Sequence, residues 1–456
     1  MDRGPLRRRA RVGMAGWGTV GGAVAARVAA TVPDCELVVG LVRDPGRHRE
    51  AAARAGAGFG SGPVVLTTEP EVLLGADCDV VVECTGDVGL AGRLARATLA
   101  RGTDLVTANK QLLAAHGAEL TALADRHRAH LAYEAAVGGG MPIISLVRHA
   151  LRADRPRRLA AILNGTTNFI LDRMAGGEPG ELALAAARRE GLAEADASAD
   201  IDAHDPVAKL VILAALLWGG WPSPEDVHRR GIADLVAADL AVARALGRAV
   251  RLVALAEAGD GDPAAAGPPT EAASAGAGLA LAVEPALVPL DHPLASTRGA
   301  GNTVVLDSDL AGRTVLSGTG AGGVPTSSAV LSDLAQVLAA RRRGAAPEPG
   351  PLGPPPAVPP AGAPRGGAVW RVGPDREMSD PALVAAALSG AGLEVVRVAG
   401  LAALIGDQGA VPGAEPGEVV LVTAPATRGR RRAGADAVAR LAGGYAVRSC
   451  LPLLEA

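Results

Sequence analysis

Short apolar runs alternate with alanine-rich stretches over the first third of the chain. Runs rich in β-branched residues predict strands at residues 11–15, 36–42, 64–67, 79–84 and 104–107. The stretches between them predict helices or loops. Strands that alternate with helices are typical of a parallel, doubly wound α/β sheet. The pattern therefore predicts a Rossmann-type domain over residues 1–133.

The middle of the chain, residues 134–304, mixes strand and helix patterns in a different order. A strand is predicted at residues 158–163, and helices are predicted at residues 181–190 and 206–218. This mixture indicates an α+β domain that serves catalysis or dimerisation. Residues 259–278 are rich in Gly, Ala and Pro and predict an exposed loop.

A proline-rich segment at residues 341–367 precedes the last part of the chain. It predicts a linker, because prolines remove backbone donors and keep the chain extended. Within residues 368–456 the pattern then predicts strand, helix, strand, strand, helix and strand. This βαββαβ order is typical of a small ferredoxin-like module. The predicted fold class is therefore α/β, with three domains and one linker.

Composition and charge exclude several classes of function. The net charge is −3, and acidic and basic residues are mixed along the chain, so we expect neither a nucleic-acid nor a membrane partner. The longest apolar run, residues 210–218, is too short to span a bilayer. The four cysteines lack metal-ligand spacing, and we expect them to be reduced, as in the cytoplasm.

Lysine is rare in this chain. Lys110 and Lys209 are its two lysines, whereas arginine occupies almost every other basic position. A guanidinium stays protonated, but an ammonium group can pass a proton. We therefore interpret both lysines as chemically required groups, with chance retention on the surface as the alternative.

A glycine motif follows the first predicted strand and opens an alanine-rich helix. Gly16, Gly18 and Gly21 form a GxGxxG pattern that includes Thr19 and Val20. Gly16 would permit the tight turn, Gly18 would leave room for a pyrophosphate, and Gly21 would let helix and strand pack closely. The motif predicts dinucleotide binding, and an ordinary glycine-rich turn is the alternative.

Three more segments are expected at the same edge of the sheet. Arg43 follows the second strand, where an arginine pairs with a 2′-phosphate, so we predict NADP; the neighbouring Asp44 leaves NAD possible. Thr85 and Gly86 follow the fourth strand, and Lys110 follows the fifth. The carboxyl ends of parallel strands face the ligand in such sheets.

Glu134 precedes an irregular glycine-rich run at residues 137–141. Irregular backbone leaves carbonyl oxygens unpaired, and these could hold a monovalent cation. A hinge between domains is an equal alternative for this segment.

Carboxylates cluster over residues 194–205 and include Glu194, Asp200 and Asp205. Such a cluster would suit the ammonium group of an amino acid. Asp205 and Lys209 are four positions apart, so they could share a helix face on which the carboxylate tunes the amine. The alternative is that Asp205 only caps the helix, with the following proline at its first position.

Together these motifs resemble those of homoserine dehydrogenases over about residues 10–340. The resemblance is carried, in order, by residues 16–21, 107–110, 133–142, 164–168, 194–209, 226–232, 291–294 and 318–326. It implies a homodimer that reduces aspartate 4-semialdehyde to homoserine with NADPH or NADH. Lys110 and Lys209 would be the active-site lysines, and Glu194 and Asp205 would bind the substrate.

The resemblance also implies two further features. The loop at residues 318–326, with Gly320 and Gly322, would close over the cofactor, and residues 305–340 would return to the nucleotide domain. The implied ligands of a monovalent cation, Na⁺ or K⁺, are Glu134, Val137, Gly139 and Met141.

The sequence departs from the family pattern at several positions. Leu192, Ala197 and Ala203 replace the usual tyrosine, proline and glycine, and Pro206 is unusual before the lysine. A related semialdehyde reductase and a non-catalytic regulatory paralogue therefore remain alternatives. The C-terminal module resembles an ACT domain but lacks its usual Asp-Arg-Pro-Gly turn, which weakens an expectation of threonine sensing.

Overall fold

The computed structural model describes residues 8–58, 64–258, 278–351, 366–374, 381–405, 411, 413–415, 418–426, 428–439 and 445–454. The strands are β1 (Ala10–Ala15), β2 (Cys35–Leu41), β3 (Val65–Thr67), β4 (Val80–Glu83), β5 (Asp104–Thr107), β6 (Leu131–Ala132), β7 (Pro156–Ile162), β8 (His228–Arg229), β9 (Arg248–Ala258), β10 (Leu279–Pro289), β11 (Gly301–Ser308), β12 (Gly312–Thr319), β13 (Gly366–Pro374), β14 (Val395–Gly400), β15 (Val419–Ala426) and β16 (Tyr445–Pro452).

The helices are α1 (Thr19–Ala25), α2 (Val28–Thr31), α3 (Pro45–Gly58), α4 (Pro70–Gly75), α5 (Val88–Ala100), α6 (Lys110–His127), α7 (Ile143–Ser145), α8 (Gly165–Ala175), α9 (Gly180–Arg189), α10 (Ser198–Ile201), α11 (His204–Trp218), α12 (Ala237–Ala245), α13 (Gly323–Arg342), α14 (Pro381–Gly390), α15 (Leu401–Ile405) and α16 (Arg428–Ala439). A π-helical turn, Leu146–Ala150, follows α7 directly.

The first sheet is parallel throughout, with strand order β3-β2-β1-β4-β5-β6. Its strands lack polar alternation because both faces are buried. On β4, for example, Val80 and Val82 pack against Leu334 of α13, whereas Val81 packs with Leu94 of α5 on the opposite face. The predicted doubly wound sheet is confirmed.

The second sheet is mixed, with order β12-β11-β7-β9-β10-β8. Its strands pair antiparallel, except that β8 runs parallel to β10. The resemblance implies that residues 305–340 return to the nucleotide domain. In the structure β11 and β12 stay in the second sheet, because β11 pairs along its length with β7, and α13 is the element that packs against α1.

The third sheet is antiparallel, with order β14-β15-β13-β16. Its elements follow the predicted βαββαβ order, with the short helix α15 added between β14 and β15. Arg371 of β13 joins this sheet to α12 through a buried ion pair with Asp239 at 3.0 Å. The predicted loop at residues 259–278, most of the predicted linker and the turn after Pro374 lie outside the described residues.

The helices and the cysteines bear on two expectations from composition. Within the described ranges, none of the helices combines the length and apolar character that crossing a membrane requires. The four cysteines are free thiols. Burial raises the pKa of Cys35 to about 12 and that of Cys78 to about 11, so neither thiol is activated at neutral pH.

Candidate active site

Asp205 lies at the centre of a buried ionic cluster near the start of α11. Lys209, one turn further along the helix, places its Nζ 2.8 Å from Asp205 Oδ2 and donates a second hydrogen bond to the Leu163 carbonyl at 2.6 Å. Lys110, the first residue of α6, approaches from the nucleotide domain, with Nζ 3.3 Å from Asp205 Oδ1. The two lysines of the chain therefore meet at one carboxylate.

Asp205 is ionised at any pH near neutral. Its burial opposes the charge, but Lys209 and Lys110 outweigh burial and lower its pKa to about 2. The Lys209 ammonium has three N–H donors, of which two have protein acceptors. One N–H therefore remains for a ligand.

The structure decides against Asp205 as a helix cap. The cap position of α11 is Ala203, in a left-handed conformation with φ +64, and Asp205 is the second helical residue. Its carboxylate accepts from Lys209 and Asn164 rather than from the first free amides. The capping alternative is wrong because the left-handed turn at Ala203 starts the helix earlier than the sequence suggests.

Asn164 connects two of the predicted carboxylates and was missing from the predicted site. Its Nδ2 donates to Asp200 Oδ1 at 2.7 Å and to Asp205 Oδ2 at 2.9 Å. Its Oδ1 accepts from the amide of Thr167 and so caps α8. Asparagine occurs only four times in the chain, and this rarity is the signal that could have found the residue.

The glycine motif forms a tight turn between β1 and α1. Gly16 has φ +85, and a Cβ there would lie 2.6 Å from the Cys84 carbonyl oxygen. A Cβ on Gly21 would lie 1.9 Å from the Gly16 oxygen, so α1 packs closely on this turn. Gly18 is the cap residue and has open space around it.

The start of α13 lies against the start of α1. The backbone of Gly323 approaches Thr19 so closely that a Cβ would be 2.8 Å from its oxygen. Gly320 packs in the same way against Asn302 and Gly139. The first turns of α1 and α13 contain no acidic residue. Free helix amides and open space at Gly18 fit the pyrophosphate of a dinucleotide.

The other residues predicted for this edge of the first sheet lie just after β2 and β4. Arg43 is exposed, while Asp44 Oδ1 accepts from the amide of Arg47 at 3.2 Å and caps the start of α3. Thr85 is held by Glu83, which is buried and accepts from its amide and hydroxyl, both at 2.7 Å. Gly86 follows with φ +78.

Two family models match the chain in succession. The model for the homoserine dehydrogenase NAD binding domain matches residues 16–134, and the homoserine dehydrogenase model matches residues 142–335. The chain is 39% identical to the homoserine dehydrogenase of Mycobacterium leprae over 345 residues, which cover 74% of this chain and 73% of the relative. The Lactococcus lactis homoserine dehydrogenase is 32% identical and covers 73% of this chain and 75% of its own length.

Solved structures agree with the family models. A homoserine dehydrogenase from Thiobacillus denitrificans superposes with a TM-score of 0.82 at 28% identity, covering 98% of both chains. A hyperthermophilic archaeal homoserine dehydrogenase in complex with NADPH superposes with a TM-score of 0.58 at 26% identity, covering 72% of this chain and 97% of its own. This chain belongs to the homoserine dehydrogenase family. It is a nicotinamide-dependent oxidoreductase by that membership.

In this homoserine dehydrogenase family member, the remaining two predicted carboxylates differ in their surroundings. Asp200 is half-buried; burial and the nearby Asp205 charge raise its pKa, while hydrogen bonding to Asn164 lowers it. Glu194 is exposed, and its carboxylate has no hydrogen bond or ion pair with any residue that the structure describes. The structure therefore brings Asp200 and Asp205 together and leaves Glu194 at the surface.

The predicted cation ligands lie on one buried loop. Val137 and Met141 are buried, and Gly139 has φ +58 and packs against Gly320. The Glu134 carboxylate accepts from the amides of Ile144 at 2.7 Å and Ser145 at 2.8 Å, so it caps α7. Within the described ranges, His, Cys, Asp and Glu side chains form no cluster suited to a metal ion.

Two departures from the family pattern have local explanations. Pro206 occupies the first turn of α11, where a backbone N–H has no helical acceptor, so the proline removes no hydrogen bond. Leu192 packs at the edge of the core, and its carbonyl accepts from the Thr166 hydroxyl at 2.8 Å. Neither departure disturbs the contacts of Lys209.

Proposed function

We propose that this protein reduces L-aspartate 4-semialdehyde to L-homoserine with NADPH, in threonine and methionine biosynthesis. The observation that carries the proposal is the meeting of Lys110 and Lys209 at Asp205. Family membership supports the same reaction.

The protein's own residues would act on the aldehyde oxygen and on the substrate's ammonium group. The nicotinamide cofactor, when bound, supplies the hydride that the aldehyde carbon receives. Lys209 would direct its remaining N–H at the oxygen and transfer a proton as negative charge develops there, and Lys110 would add positive charge. Asp205 would hold both ammonium groups in place, and Asp200 and Glu194 would bind the substrate ammonium.

NADP is the proposed cofactor, with Arg43 as the group that recognises its 2′-phosphate. Asp44 uses one carboxylate oxygen, Oδ1, to cap α3 through the amide of Arg47 at 3.2 Å. Arg43 and Arg47 are both exposed at the end of β2. A solved relative in complex with NADPH supports this preference. Arg43→Ala should raise the KM for NADPH about tenfold and leave the KM for NADH unchanged.

We also propose a monovalent cation, Na⁺ or K⁺, held by the loop that contains Glu134, Val137, Gly139 and Met141. Because the Glu134 carboxylate is occupied by two amides, this residue would contribute its backbone carbonyl oxygen. Activity in potassium, sodium and tetramethylammonium buffers would test the site.

We further propose a cytoplasmic homodimer. Light scattering of the purified protein can test the dimer.

The decisive experiment is NADPH oxidation and, separately, NADH oxidation by the purified protein with aspartate 4-semialdehyde. Lys209→Arg serves as the matched variant, because it keeps the charge but removes the amine. We expect rapid oxidation that falls by several orders of magnitude in the variant, with cofactor binding near normal. Full activity in Lys209→Arg would refute the proton-transfer role.

A related semialdehyde reductase is the second candidate, and Leu192 is the observation that favours it. Its side chain offers no hydroxyl where the family usually has tyrosine. A panel of semialdehydes of different chain length would separate the two: a higher kcat/KM for another member would favour the second candidate. The paired lysines at Asp205 argue against a non-catalytic regulatory protein, which would need charge but no amine.

A further inference from the structure

A second cavity lies away from the Asp205 cluster, at the junction between the first two sheets. It has a volume of about 440 Å³ and lies between α13, the α7 region and β6. Its charged and polar lining includes Glu134, Ser145, Arg148, Asp333 and Gln336. Cavities of this size hold small organic ligands in many proteins.

Asp333 of α13 is a buried carboxylate with unused acceptor capacity in this cavity. Its Oδ2 accepts from the backbone N–H of Glu134 at 2.7 Å. Among the described residues, no basic side chain lies within 4 Å of this carboxylate. The neighbouring Glu134 carboxylate is satisfied by the amides of Ile144 and Ser145 and by the Ser145 hydroxyl. The other charged groups of the lining that could compete, Glu348 and Arg343, are exposed, and Glu348 lies 3.8 Å from His149. Asp333 is therefore the buried acceptor with free capacity in this cavity.

Arg148 is the corresponding cation. It lies in the π-helical turn, a feature that often marks functional sites, and its guanidinium stacks 4.5 Å from the centre of the Tyr133 ring. It lines the same cavity as Asp333, but it forms no ion pair within 4 Å with any described carboxylate. Arg148 is thus fixed in orientation and still able to bind an anion.

Two opposite charges that share a cavity without touching are costly. A buried charge is destabilising unless it is paired and hydrogen-bonded. A molecule with both an ammonium and a carboxylate group would satisfy Asp333 and Arg148 at once. The apolar wall of Ile144, Val337 and Ala340 would accept a short side chain.

We propose that this cavity binds a small zwitterionic α-amino acid, with its ammonium group on Asp333 and its carboxylate on Arg148. Asp333 belongs to the helix that reaches the cofactor loop, and Arg148 belongs to the segment that follows the Glu134 loop. The bound amino acid would therefore connect the nucleotide domain to the catalytic domain without entering the Asp205 cleft.

The test is calorimetric titration of the full-length protein, and of its Asp205→Asn variant, with a panel of small protein amino acids. We expect at least one of them to bind both proteins with equal affinity, because Asp205 does not line this cavity. Arg148→Met keeps the packing on Tyr133 but removes the charge, and it should weaken binding at least ~10-fold. Arg152→Met is the matched control, because Arg152 is exposed on the next turn and does not line this cavity; its affinity should equal that of the wild type.

A second variant covers the case in which Arg148→Met fails to fold. Gln336 is exposed, lines the cavity and lies three positions after Asp333 on α13. Gln336→Lys would bring an ammonium group to Asp333 and should abolish binding, and the contact it removes is an exposed 3.4 Å hydrogen bond to the Ser332 hydroxyl. Absence of binding in the wild type, loss of binding in Asp205→Asn, or unchanged affinity in both Arg148→Met and Gln336→Lys would overturn the proposal. Because binding is measured without turnover, these outcomes do not depend on the proposed reaction.

Discussion

Asp205 in the active-site cleft and Asp333 at the domain junction are equally buried, and each is 7% exposed. Their ionisation nevertheless moves in opposite directions. Burial opposes the charge of Asp205, but Lys209 and Lys110 lower its pKa to about 2. Burial raises the pKa of Asp333 to about 7; the Glu134 charge adds to this effect, while the Glu134 amide and the more distant Arg148 reduce it.

The difference shows that contact with cations, rather than depth, sets the charge of a buried carboxylate here. Lys209 touches Asp205 at 2.8 Å, whereas none of the described basic groups comes within 4 Å of Asp333. Direct contact in a low-dielectric site outweighs the desolvation penalty, but a more distant charge does not. One site is therefore paired internally, and the other retains capacity for a ligand.

Removing the lysines should have the largest effect, because it would leave Asp205, like Asp333, as a buried carboxylate without a cation in contact among the described residues. Lys209→Met should lower kcat at least ~10³-fold, since both proton transfer and charge stabilisation are lost. Lys110→Met should cost less, ~10–100-fold, because Lys110 is more exposed and lies 3.3 Å from the carboxylate. Steady-state kinetics with NADPH would measure both, and fluorescence titration would verify that NADPH still binds. Equal losses in the two variants would contradict the proposed division of roles.

Acid unfolding should reveal the stabilisation that Asp205 gains from its lysines. Its folded pKa, about 2, lies below the unfolded value near 4, so its contribution is present above pH ~4 and is lost as pH falls through about 2. The wild type should therefore lose ~1 kcal/mol more unfolding free energy than Asp205→Asn between pH 6 and pH 3. Urea unfolding at pH 6, 4 and 3 would measure the difference. Parallel pH profiles for the two proteins would show that the ion pair does not stabilise the fold.

A lysine introduced near Asp333 should give this carboxylate a cation partner, as Asp205 has in the active site. Gln336→Lys is expected to stabilise the protein by up to ~1 kcal/mol at pH 8, because the new ammonium group lies within reach of an unpaired carboxylate. Gln336→Met is the control for side-chain length and apolar contact. Thermal unfolding of the three proteins gives the comparison, and equal Tm values for Lys and Met at this position would show that the ammonium group does not reach Asp333.

The smallest expected effect comes from changing the backbone turn at Ala203, which precedes Asp205, and not from changing a charge. Ala203 adopts φ +64, which costs a non-glycine residue about 1–2 kcal/mol, so Ala203→Gly should stabilise the protein by about 0.5–1 kcal/mol. The cluster around Asp205 should be unchanged, with kcat within about twofold of the wild type. Ala215→Gly in the interior of α11 is the control and should destabilise by about 1 kcal/mol or more. A large loss of kcat in Ala203→Gly would show that the strained turn itself positions the carboxylate.

Local patterns predicted much of the fold. Strands β1 to β5 of the first sheet lie within one or two residues of their predicted bounds, because their β-branched runs are buried on both faces and bounded by turns. The βαββαβ order of the C-terminal module was also predicted. The two-residue β6, strands β8 to β12 of the second sheet and α15 were not predicted: β12, for example, is largely exposed and carries little apolar pattern, and α15 spans only five residues.

Most members of the site were predictable from the sequence, but their contacts were not. Rarity identified Lys110 and Lys209, because an arginine-rich chain retains an amine where chemistry depends on it. The bridge from Asn164 to Asp200 and Asp205 was not predictable, because it joins the start of α8 to residues near α10 and α11. Hydrogen bonds of this kind depend on how helices pack and leave no periodic signal in the chain.

The amino-acid sequence by itself determined the local elements, the glycine turn and the identity of the groups available for chemistry. The spacing of four residues already indicated that Lys209 pairs with Asp205. The tertiary structure alone decided that Lys110 joins this pair and that Asp333, also on a helix, has no cation in contact among the described residues. Lys110 reaches Asp205 only because α6 and α11 pack together, and the electrostatic free energy of a buried charge depends on such distances rather than on sequence separation.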